Sequence, residues 1–529
     1  MMNGDEKSDP AIVAVKPVNK SRKLDAELVE PRAGAKGNEV DLLGVRAQDR
    51  AAPLLGIDRV RKTAEEKKDE RFTTLLHHID EDLLDQCYHW LKKDAAVGVD
   101  GMTKAAYGEG LEARLSDLKD RIHRGSYRAQ PSRRVFIPKA DGQKRPLGVA
   151  ALEDKIVQRA VAEVLNAIYE ADFLGFSYGF RPNRGQHDAL DAVVVGIETK
   201  RVNWILDADI KGFFDNINHG WMMRFIEHRV GDQRVLRLIR KWLKAGVIED
   251  EVRVEAIKGT PQGAVISPLL ANIYLHYVYD LWVEQWRKRH ARGDMIVVRY
   301  ADDTIVGFQH RADAERFLVE LRTRMAKFGL ELHPEKTRLI EFGKFAALNR
   351  NNRGKRKPET FNFLGFTHIC SKTSLGRFLV VRHTRSDRLR AKLKEIKEEL
   401  RRRWHLSIAE QGRWLRRIVM GYFAYHAVPT NSHPLRAFRR HVIRLWLRAL
   451  RRRSQRDRTT WTSMWKIADR WLPPVRVSHP WPYKRFRGNH PSWSRMRECR
   501  PYGSERGASS NGRPYRNFSL LIFLKMRGT

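Results

Sequence analysis

Two adjacent aspartates, Asp302 and Asp303, are the side chains in this sequence best placed to do chemistry. They lie between two apolar runs, residues 295–299 and 304–308, that have the length and β-branched content of buried strands. The segment therefore predicts a hairpin with two carboxylates at its tip, an arrangement suited to holding divalent metal where phosphates react. A solvated acidic turn is the plainer alternative, because aspartate is common in turns.

A second acidic strand end could complete such a site. Two-metal phosphoryl transfer needs carboxylates from different strands, and without metal their charges repel and raise their pKa values. Residues 206–215 offer an apolar strand that delivers Asp207 and Asp209 before a glycine turn. Asp209 would lie beside the hairpin tip if the two strands are neighbours. Asp207 lies on the same face of the strand and competes for the role on pattern alone.

The surrounding sequence mixes helical and strand periodicities, which predicts an α+β fold. Helices are expected over residues 70–84, 111–122, 153–169, 267–286 and 314–328, and strands over 133–139, 144–149, 203–210 and the two halves of the hairpin. Asp141 and Gly142 form the expected turn between the first two strands. Ser267 is expected to cap its helix, with Pro268 in the first turn, and Gly125 and Gly329 are expected to end helices.

The charge of the chain indicates a polyanionic partner. Its 529 residues carry 101 Lys and Arg against 63 Asp and Glu, a formal net charge of +38, and nucleic acid would screen that self-repulsion. Residues 381–460 alone hold 23 basic and 6 acidic residues in a helical pattern, an excess too large for a merely solvated face. A membrane partner is disfavoured, because no apolar run approaches about 18 residues and no signal-peptide pattern is present.

The cysteines indicate a reducing compartment. Cys87, Cys370 and Cys499 are far apart and form no Cys-x-x-Cys pair, so we expect three buried thiols and neither disulfides nor a zinc ribbon. Residues 1–55 lack apolar periodicity and are expected to be disordered or loosely attached. Residues 471–529, rich in Pro, Trp, Arg and Gly, are expected to be a nucleic-acid-contacting tail or a disordered end.

Nine short blocks occur in the order found in reverse transcriptases. They are FIPK (136–139), RPLG (145–148), YGFRP (178–182), DIKGFFD (209–215), GTPQG (259–263), SPLL (267–270), YADD (300–303), HPEK (333–336) and FNFLG (361–365). The set most resembles the bacterial group II intron-encoded reverse transcriptase/maturase family and runs over residues 98–458. The resemblance implies a right-hand fold of fingers, palm and thumb.

The same resemblance implies a division of the chain. An N-terminal extension covers residues 1–69, an N-terminal fingers extension 70–130, fingers and palm 131–370, a helical basic thumb, called domain X in maturases, 380–470, and a basic tail 471–529. Many family members end in an HNH endonuclease with paired cysteines and histidines. Because Cys499 stands alone, we expect no such domain, and shorter members of this kind are thought to prime from DNA ends at replication forks.

The resemblance also selects among the acids. It implies that Asp209, rather than Asp207, is the first metal-binding aspartate, with the main-chain carbonyl of Ile210 as a further ligand. It implies that Asp302 is the second and Asp303 its neighbour, and that the cofactor is a pair of Mg²⁺ ions.

Further site residues follow from the resemblance. Implied nucleotide-binding residues are Lys139 and Arg145 on the triphosphate, Phe214 against a ribose 2′-hydroxyl, Gln262 near the nascent base pair, and Lys336 lining the site. Either Phe213 or Phe214 would also suit a role in core packing alone. Lys336 would also suit an ordinary surface position. The implied primer-grip turn is Phe363, Leu364 and Gly365, of which Leu364 would also suit ordinary core.

The implied activity is RNA-directed DNA polymerisation, copying the host intron RNA into DNA for retrohoming, together with assistance to intron splicing. The implied partners are group II intron RNA, a DNA target or primer and dNTPs, with a homodimer left open, and the implied location is the bacterial cytoplasm and nucleoid. Two alternatives stay open: a splicing-only RNA-binding maturase, and a retron or diversity-generating reverse transcriptase, against which the long basic thumb argues.

Overall fold

The computed structural model describes residues 54–138, 144–249, 252–254, 257–355, 357–453 and 459–489. The chain divides into two compact units. The first unit comprises residues 1–174, 210–289 and 321–332, and the second comprises residues 175–209, 290–320 and 333–529. Each unit is therefore discontinuous in sequence, and its core depends on segments that are far apart along the chain.

Helices dominate the described residues. In chain order the α-helices are α1 (Leu54–Glu66), α2 (Glu81–Trp90), α3 (Lys104–Gly108), α4 (Leu111–Arg124), α5 (Leu152–Tyr169), α6 (Gln186–Thr199), α7 (Phe213–Asn216), α8 (His219–Arg229), α9 (Gln233–Lys244), α10 (Ser267–Leu275), α11 (Leu281–Arg289), α12 (Arg311–Lys327), α13 (Ala346–Asn352), α14 (Ser386–Arg402), α15 (Ile408–His426), α16 (Ser432–Arg451), α17 (Trp461–Trp471) and α18 (Pro482–Asn489). A π-helical segment, His276–Asp280, joins α10 to α11.

The strands form three small sheets. In chain order they are β1 (Ser132–Pro138), β2 (Lys144–Val149), β3 (Trp204–Ala208), β4 (Val247–Glu249), β5 (Val252–Val254), β6 (Met295–Tyr300), β7 (Asp303–Phe308), β8 (Arg338–Glu341), β9 (Phe361–Phe363), β10 (Phe366–Lys372) and β11 (Phe378–Thr384). Their spatial orders are β2-β1-β4-β5, β6-β7-β3-β8 and β11-β10-β9.

In the first unit, helices pack around the long buried helix α5, against which α1 and α2 lie. Buried polar groups tie distant segments of this unit together. The guanidinium of Arg229 forms an ion pair with Asp172 (3.0 Å) and donates to the main-chain carbonyl of Glu70 (3.0 Å). Since a buried charge is stable only when it is paired and hydrogen-bonded, this contact fixes the chain around residue 70 against α8.

In the second unit, the sheet β6-β7-β3-β8 is antiparallel throughout and carries the predicted acidic segments. Helix α6 covers it with apolar side chains. Leu190 and Val193 on the helix share one buried cluster with Ile205, Val298 and Ile305 on the strands. Burial of each such side chain contributes roughly 1.5–3 kcal/mol, so the sheet is a rigid base for whatever its strand ends present.

The hairpin β6–β7 also packs closely against the loop before α6. A methyl group at Gly179 would overlap the main-chain nitrogen of Ala301 and the carbonyl carbon of Tyr300. A side chain at position 179 would therefore push the hairpin turn away. Only glycine permits this close approach.

The helices α14 to α17 of the second unit build a separate core. Trp446 is fully buried in it and donates its indole N–H to the side-chain oxygen of Gln411 at 2.8 Å. Ser407 caps α15 through a capping box with Glu410. The apolar faces of these helices meet, and their arginines therefore point outward.

Several predicted elements are confirmed. Helix α4 ends at Gly125 (φ +79°), and α12 is followed by Gly329 (φ +73°). The hairpin strands occur where the apolar runs predict them. Among the described residues no helix is both long and apolar enough to cross a membrane. The expectations for residues 1–53, for the turn at 141–142, for Cys499 and for residues 490–529 lie outside the described residues.

Other predictions are wrong in detail. The helix expected from residue 70 begins at Glu81, because Phe72 instead forms a parallel bridge to Val230. Ser267 is the first helical residue rather than a cap, and its hydroxyl lies 3.0 Å from the carbonyl oxygen of Pro261, to which it donates. Cys370 is only half-buried. Helix α18 lies in a region expected to lack periodic structure.

The close approach at Gly179 predicts a difference between two glycine substitutions. Gly179→Ala should lower the free energy of unfolding by about 1–3 kcal/mol, because the added methyl overpacks the hairpin turn. Gly421→Ala, in the middle of α15 with open space at the added methyl, should raise it by about 0.5–1 kcal/mol. Urea denaturation of both variants measures this. A Gly179→Ala protein as stable as wild type would contradict the packing.

Candidate active site

The acidic hairpin turn has an unfavourable local conformation. Strand β6 ends at Tyr300, β7 begins opposite it at Asp303, and Ala301 and Asp302 form the turn. Ala301 has φ +56°, a region that alanine rarely adopts and that Asn or Gly would occupy more easily. A turn of this kind persists only where its surroundings hold it.

A buried arginine holds the turn. Arg299 is 1% exposed, and its guanidinium donates to the carbonyl of Ala301 (2.9 Å) and to the hydroxyl of Ser177 (2.7 Å). Its main chain pairs with the segment before Gly179, through Arg299 N to Phe176 O (2.9 Å) and Tyr178 N to Arg299 O (2.8 Å). Charge-assisted hydrogen bonds of this sort are stronger than neutral ones, so Arg299 fixes where Asp302 and Asp303 emerge.

Asp209 lies at the end of the neighbouring strand. β3 pairs with β7 on one side and β8 on the other, with Ala208 opposite Thr304, and Asp209 follows directly. Its main-chain carbonyl accepts a hydrogen bond from His333 N at 2.8 Å. Its carboxylate forms an ion pair with Lys336, whose ammonium is 3.3 Å away. The sheet thus brings three predicted aspartates and one predicted lysine together within the second unit.

The carboxylates influence one another electrostatically. Desolvation, then the charges of Asp302 and Asp209, raise the pKa of Asp303 to about 6, while Arg388 and Lys336 oppose the rise. Because Asp303 is itself exposed, water weakens the desolvation, and the repulsion between carboxylates is the firmer cause.

Asp207 lies in the same negative field. Desolvation raises its pKa to about 7; Arg338 lowers it, while Asp303 and Asp209 add to the rise. Asp207 is a strand residue opposite Ile305 in β7 and Arg338 in β8, whereas Asp209 lies beyond the strand end. The structure therefore separates the two candidate acids by position.

The donor set suits a hard divalent cation. Carboxylate oxygens are the ligands that Mg²⁺ prefers, and a cation would relieve the repulsion that raises the pKa of Asp303. In the described parts of the chain, no three His, Cys, Asp or Glu side chains converge closely enough to hold a metal ion by themselves. A metal here would thus need further oxygen ligands, such as a main-chain carbonyl or the phosphates of a nucleotide.

The remaining described candidates, three for the nucleotide and Ile210 for the metal, lie in the first unit. Phe213 is buried while Phe214, in edge contact with it at 5.4 Å, keeps part of its ring accessible. The carbonyl of Gln262 accepts a hydrogen bond from Gly148 N at 2.6 Å. Arg145 lies on β2 opposite Ile137, and Ile210 is buried and bridges to Leu332. Lys139 lies outside the described residues.

The predicted primer-grip turn is strained and held by a distant tyrosine. Leu364 and Gly365 connect β9 to β10 with φ values of +44° and +80°. The hydroxyl of Tyr425, on α15, donates to the carbonyl of Leu364 at 2.7 Å. The main-chain N–H of Arg385 donates to the carbonyl of Gly365. Sequence reasoning identified the turn but missed Tyr425.

Comparisons with known proteins agree with this geometry. Residues 137–368 match the family described as reverse transcriptase (RNA-dependent DNA polymerase). Protein YkfC of Escherichia coli strain K12 is 36% identical over 317 residues, covering 54% of this chain and 78% of that protein. The group II intron-encoded protein LtrA of Lactococcus lactis subsp. cremoris is 36% identical over 238 residues, covering 45% of this chain. The chain belongs to the group II intron-encoded reverse transcriptases.

A further relative is also intron-associated. An uncharacterized 91 kDa protein in the cob intron of Schizosaccharomyces pombe is 38% identical over 201 residues, 37% of this chain and 24% of that protein. The chain spans only 39% of LtrA. Membership of the reverse transcriptase family implies the right-hand polymerase fold, which the mixed helical and sheet architecture fits, and divalent metal ions are general in that family.

The repulsion between the carboxylates predicts a stabilising substitution. A carboxyl group whose pKa is raised in the folded state costs stability as pH rises from about 4 to 6, and the cost is fully present above that range. Asp302→Asn removes one source of the rise in the pKa of Asp303. The metal-free variant should therefore be more stable than wild type at pH 8, by up to about 1 kcal/mol because the site is exposed.

Urea denaturation at pH 8 and at pH 4 without divalent ions measures this difference, which should vanish at pH 4. Asp117→Asn provides the control, because that carboxylate is paired with Arg121 at 2.7 Å and its removal should shift the midpoint slightly in the opposite direction. A wild-type protein more stable than Asp302→Asn at pH 8 would contradict the electrostatic account.

Proposed function

We propose that this protein is a Mg²⁺-dependent RNA-directed DNA polymerase that copies its host group II intron RNA into DNA and assists the splicing of that RNA. The observation that carries the polymerase assignment is the meeting of Asp209 with Asp302 and Asp303 at the ends of adjacent strands. Such a concentration of carboxylates is unfavourable in isolation and becomes favourable around cations. Family membership supplies the reaction class.

Each residue of the candidate active site has its own proposed role in nucleotide addition. When bound, two Mg²⁺ ions would neutralise the charge of the triphosphate and promote ionisation of the primer 3′-hydroxyl. Asp209, Asp302 and the carbonyl of Ile210 would hold those ions, with Asp303 beside them. Lys336, whose side chain is 65% exposed, would exchange its contact with Asp209 for a phosphate of the incoming nucleotide.

Four further residues are the proposed nucleotide contacts: Lys139, Arg145, Phe214 and Gln262. Lys139 and Arg145 would hold the triphosphate, because cationic side chains bind phosphate oxygens strongly. Phe214 would exclude a ribose 2′-hydroxyl; its partly accessible ring supports this role over that of the buried Phe213. Gln262, whose loop is bonded to β2 through Gly148, would lie near the nascent base pair.

The proposed thumb and maturase region is residues 380–470. Its support is the helical core of α14 to α17 with basic residues on the outside, which suits phosphate contact along structured RNA. Residues 70–130 and 131–370 would be the fingers extension and the fingers and palm. The maturase activity is tested by splicing of the flanking intron RNA, and unchanged splicing with protein added at physiological salt would count against it.

Substitution of the aspartates tests the polymerase assignment. Asp302→Asn and Asp209→Asn should each lower the rate of primer extension on an RNA template by at least about 10²–10³-fold, since each removes charge needed at the reacting phosphate. Their affinity for the template–primer should be retained. Asp469→Asn, an exposed aspartate on α17, is the matched control and should extend primers normally. Full cDNA synthesis by the Asp302→Asn variant would contradict the polymerase assignment.

Tyr425 should act as a positioning residue for the primer-grip turn. Tyr425→Phe removes the hydrogen bond to Leu364 O, worth about 1 kcal/mol, and leaves a strained turn unsupported. The rate constant for the first nucleotide addition should fall by roughly three- to ten-fold, with little change in template–primer Kd. Single-turnover extension and binding measurements separate these quantities.

Tyr483→Phe is the matched control for that substitution. Its hydroxyl donates to Glu198 at 2.8 Å in the same unit, so its loss should reduce stability and leave the rate constant of nucleotide addition unchanged. Equal effects of the two substitutions on that rate constant would show that Tyr425 has only a structural role.

A further inference from the structure

A basic groove with an exposed tryptophan lies between the C-terminal ends of α14 and α16. Its volume is about 190 Å³, below the ~300 Å³ at which small-molecule sites begin. The floor is apolar and consists of Leu400, Leu445 and Ala449. Trp404 lines the groove with 52% of its surface exposed. No described ring or cation stacks on it, so a flat aromatic face is open at an apolar floor.

The charged lining of the groove has one sign. Lys397, Arg401, Arg448 and Arg452 surround the floor, and no Asp or Glu of the described residues lines it. None of these four cations forms an ion pair with a described residue. The neighbouring Arg402 and Arg403, by contrast, share an ion-pair partner, Glu399. The groove therefore concentrates positive charge that the described residues leave uncompensated.

We propose that this groove binds one unpaired nucleotide of structured RNA, with its base stacked on Trp404 and its flanking phosphates held by the four cations. The proposal rests on the proposed function, which makes intron RNA the partner. A duplex cannot fill the groove in this way, since its bases are covered by their stacked neighbours, whereas loops and bulges of RNA present bases that can be splayed onto aromatic rings. Stacking of this kind tolerates any base.

Trp404→Ala should weaken binding of the full-length protein to a hairpin RNA with an unpaired loop by on the order of ten-fold. Binding to the same duplex without the loop should change much less. Trp404→Phe should restore most of the affinity because the ring remains. Trp461→Ala is the matched control: Trp461 is similarly exposed at 42% but does not line the groove. Fluorescence anisotropy at physiological ionic strength measures each Kd.

An adjacent pair of arginines isolates the charge contribution. Arg401→Ala and Arg402→Ala remove the same charge from neighbouring positions of α14, but only Arg401 lines the groove. Arg401→Ala should reduce the slope of log Kd against log salt for the loop RNA by about one, and Arg402→Ala should reduce it by less. Identical slopes would overturn the placement of phosphates in the groove.

The outcomes separate this proposal from the polymerase assignment. Trp404→Ala should still extend a primer on a homopolymer RNA template, so loss of loop binding with intact extension supports the groove. Unchanged affinity of Trp404→Ala for the loop RNA overturns the groove and leaves the polymerase assignment standing. An equal loss of affinity for the loop RNA and for the duplex also overturns it, since it shows that Trp404 supports binding without stacking on an unpaired base. If the wild-type protein makes no cDNA, that result contradicts the polymerase assignment and not the groove.

Discussion

The hydrogen bonds of the buried Arg299 are the interaction on which the site depends. They fix a hairpin turn whose Ala301 adopts an unfavourable backbone conformation and whose next two residues carry negative charge. Left alone, such a turn would relax, because strain and charge repulsion both favour other conformations. The guanidinium binds the Ala301 carbonyl from inside, and the absence of a side chain at Gly179 lets the neighbouring loop close over the turn. The rigid apolar strands β6 and β7 then hold the two carboxylates beside the end of β3.

Charge is distributed unevenly in a chain with a formal net charge of +38. The acids of the candidate site form a local concentration of negative charge, opposed by Lys336, Arg338, Arg385 and Arg388. These cations lower the repulsion without filling the site with buried ion pairs. In the proposed polymerase, phosphates of a substrate would compete for the same cations while metal ions would bind the carboxylates.

Local patterns predicted the local elements, and long-range contacts explain the failures. Short-range periodicity and turn chemistry are enough to predict the hairpin, α4 with Gly125, and α12 with Gly329. Residues 70–80 have helical spacing, yet only Leu76–His78 form a short 3₁₀-helix, and Phe72 instead forms a bridge to Val230. That partner is more than 150 residues away, so no local window contains it.

In the candidate site, too, the residues with a local sequence signal could be predicted and those placed by long-range contacts could not. Asp302 and Asp303 could be found from the sequence, and β3 proved to be the expected neighbour of the hairpin. The choice of Asp209 over Asp207 needed the family resemblance. Tyr425 was missed because its hydrogen bond to Leu364 spans 61 residues. An arginine inside the apolar run 295–299 was a visible signal for Arg299, since a charge within a buried strand must have a buried partner.

Helix α14 connects the candidate active site to the proposed RNA-binding groove within the second unit. Near its beginning, the positive charge of Arg388 acts on Asp303, and near its end Lys397 and Arg401 line the groove with Trp404. A helix of 17 residues is roughly 25 Å long, so a nucleotide in the groove would lie well outside the reach of the carboxylates of the candidate active site. The nucleotide bound in the groove therefore cannot be the template nucleotide that is being copied. The proposed groove would therefore hold intron RNA while the candidate active site stays free, as our proposal that one protein both binds and copies that RNA requires.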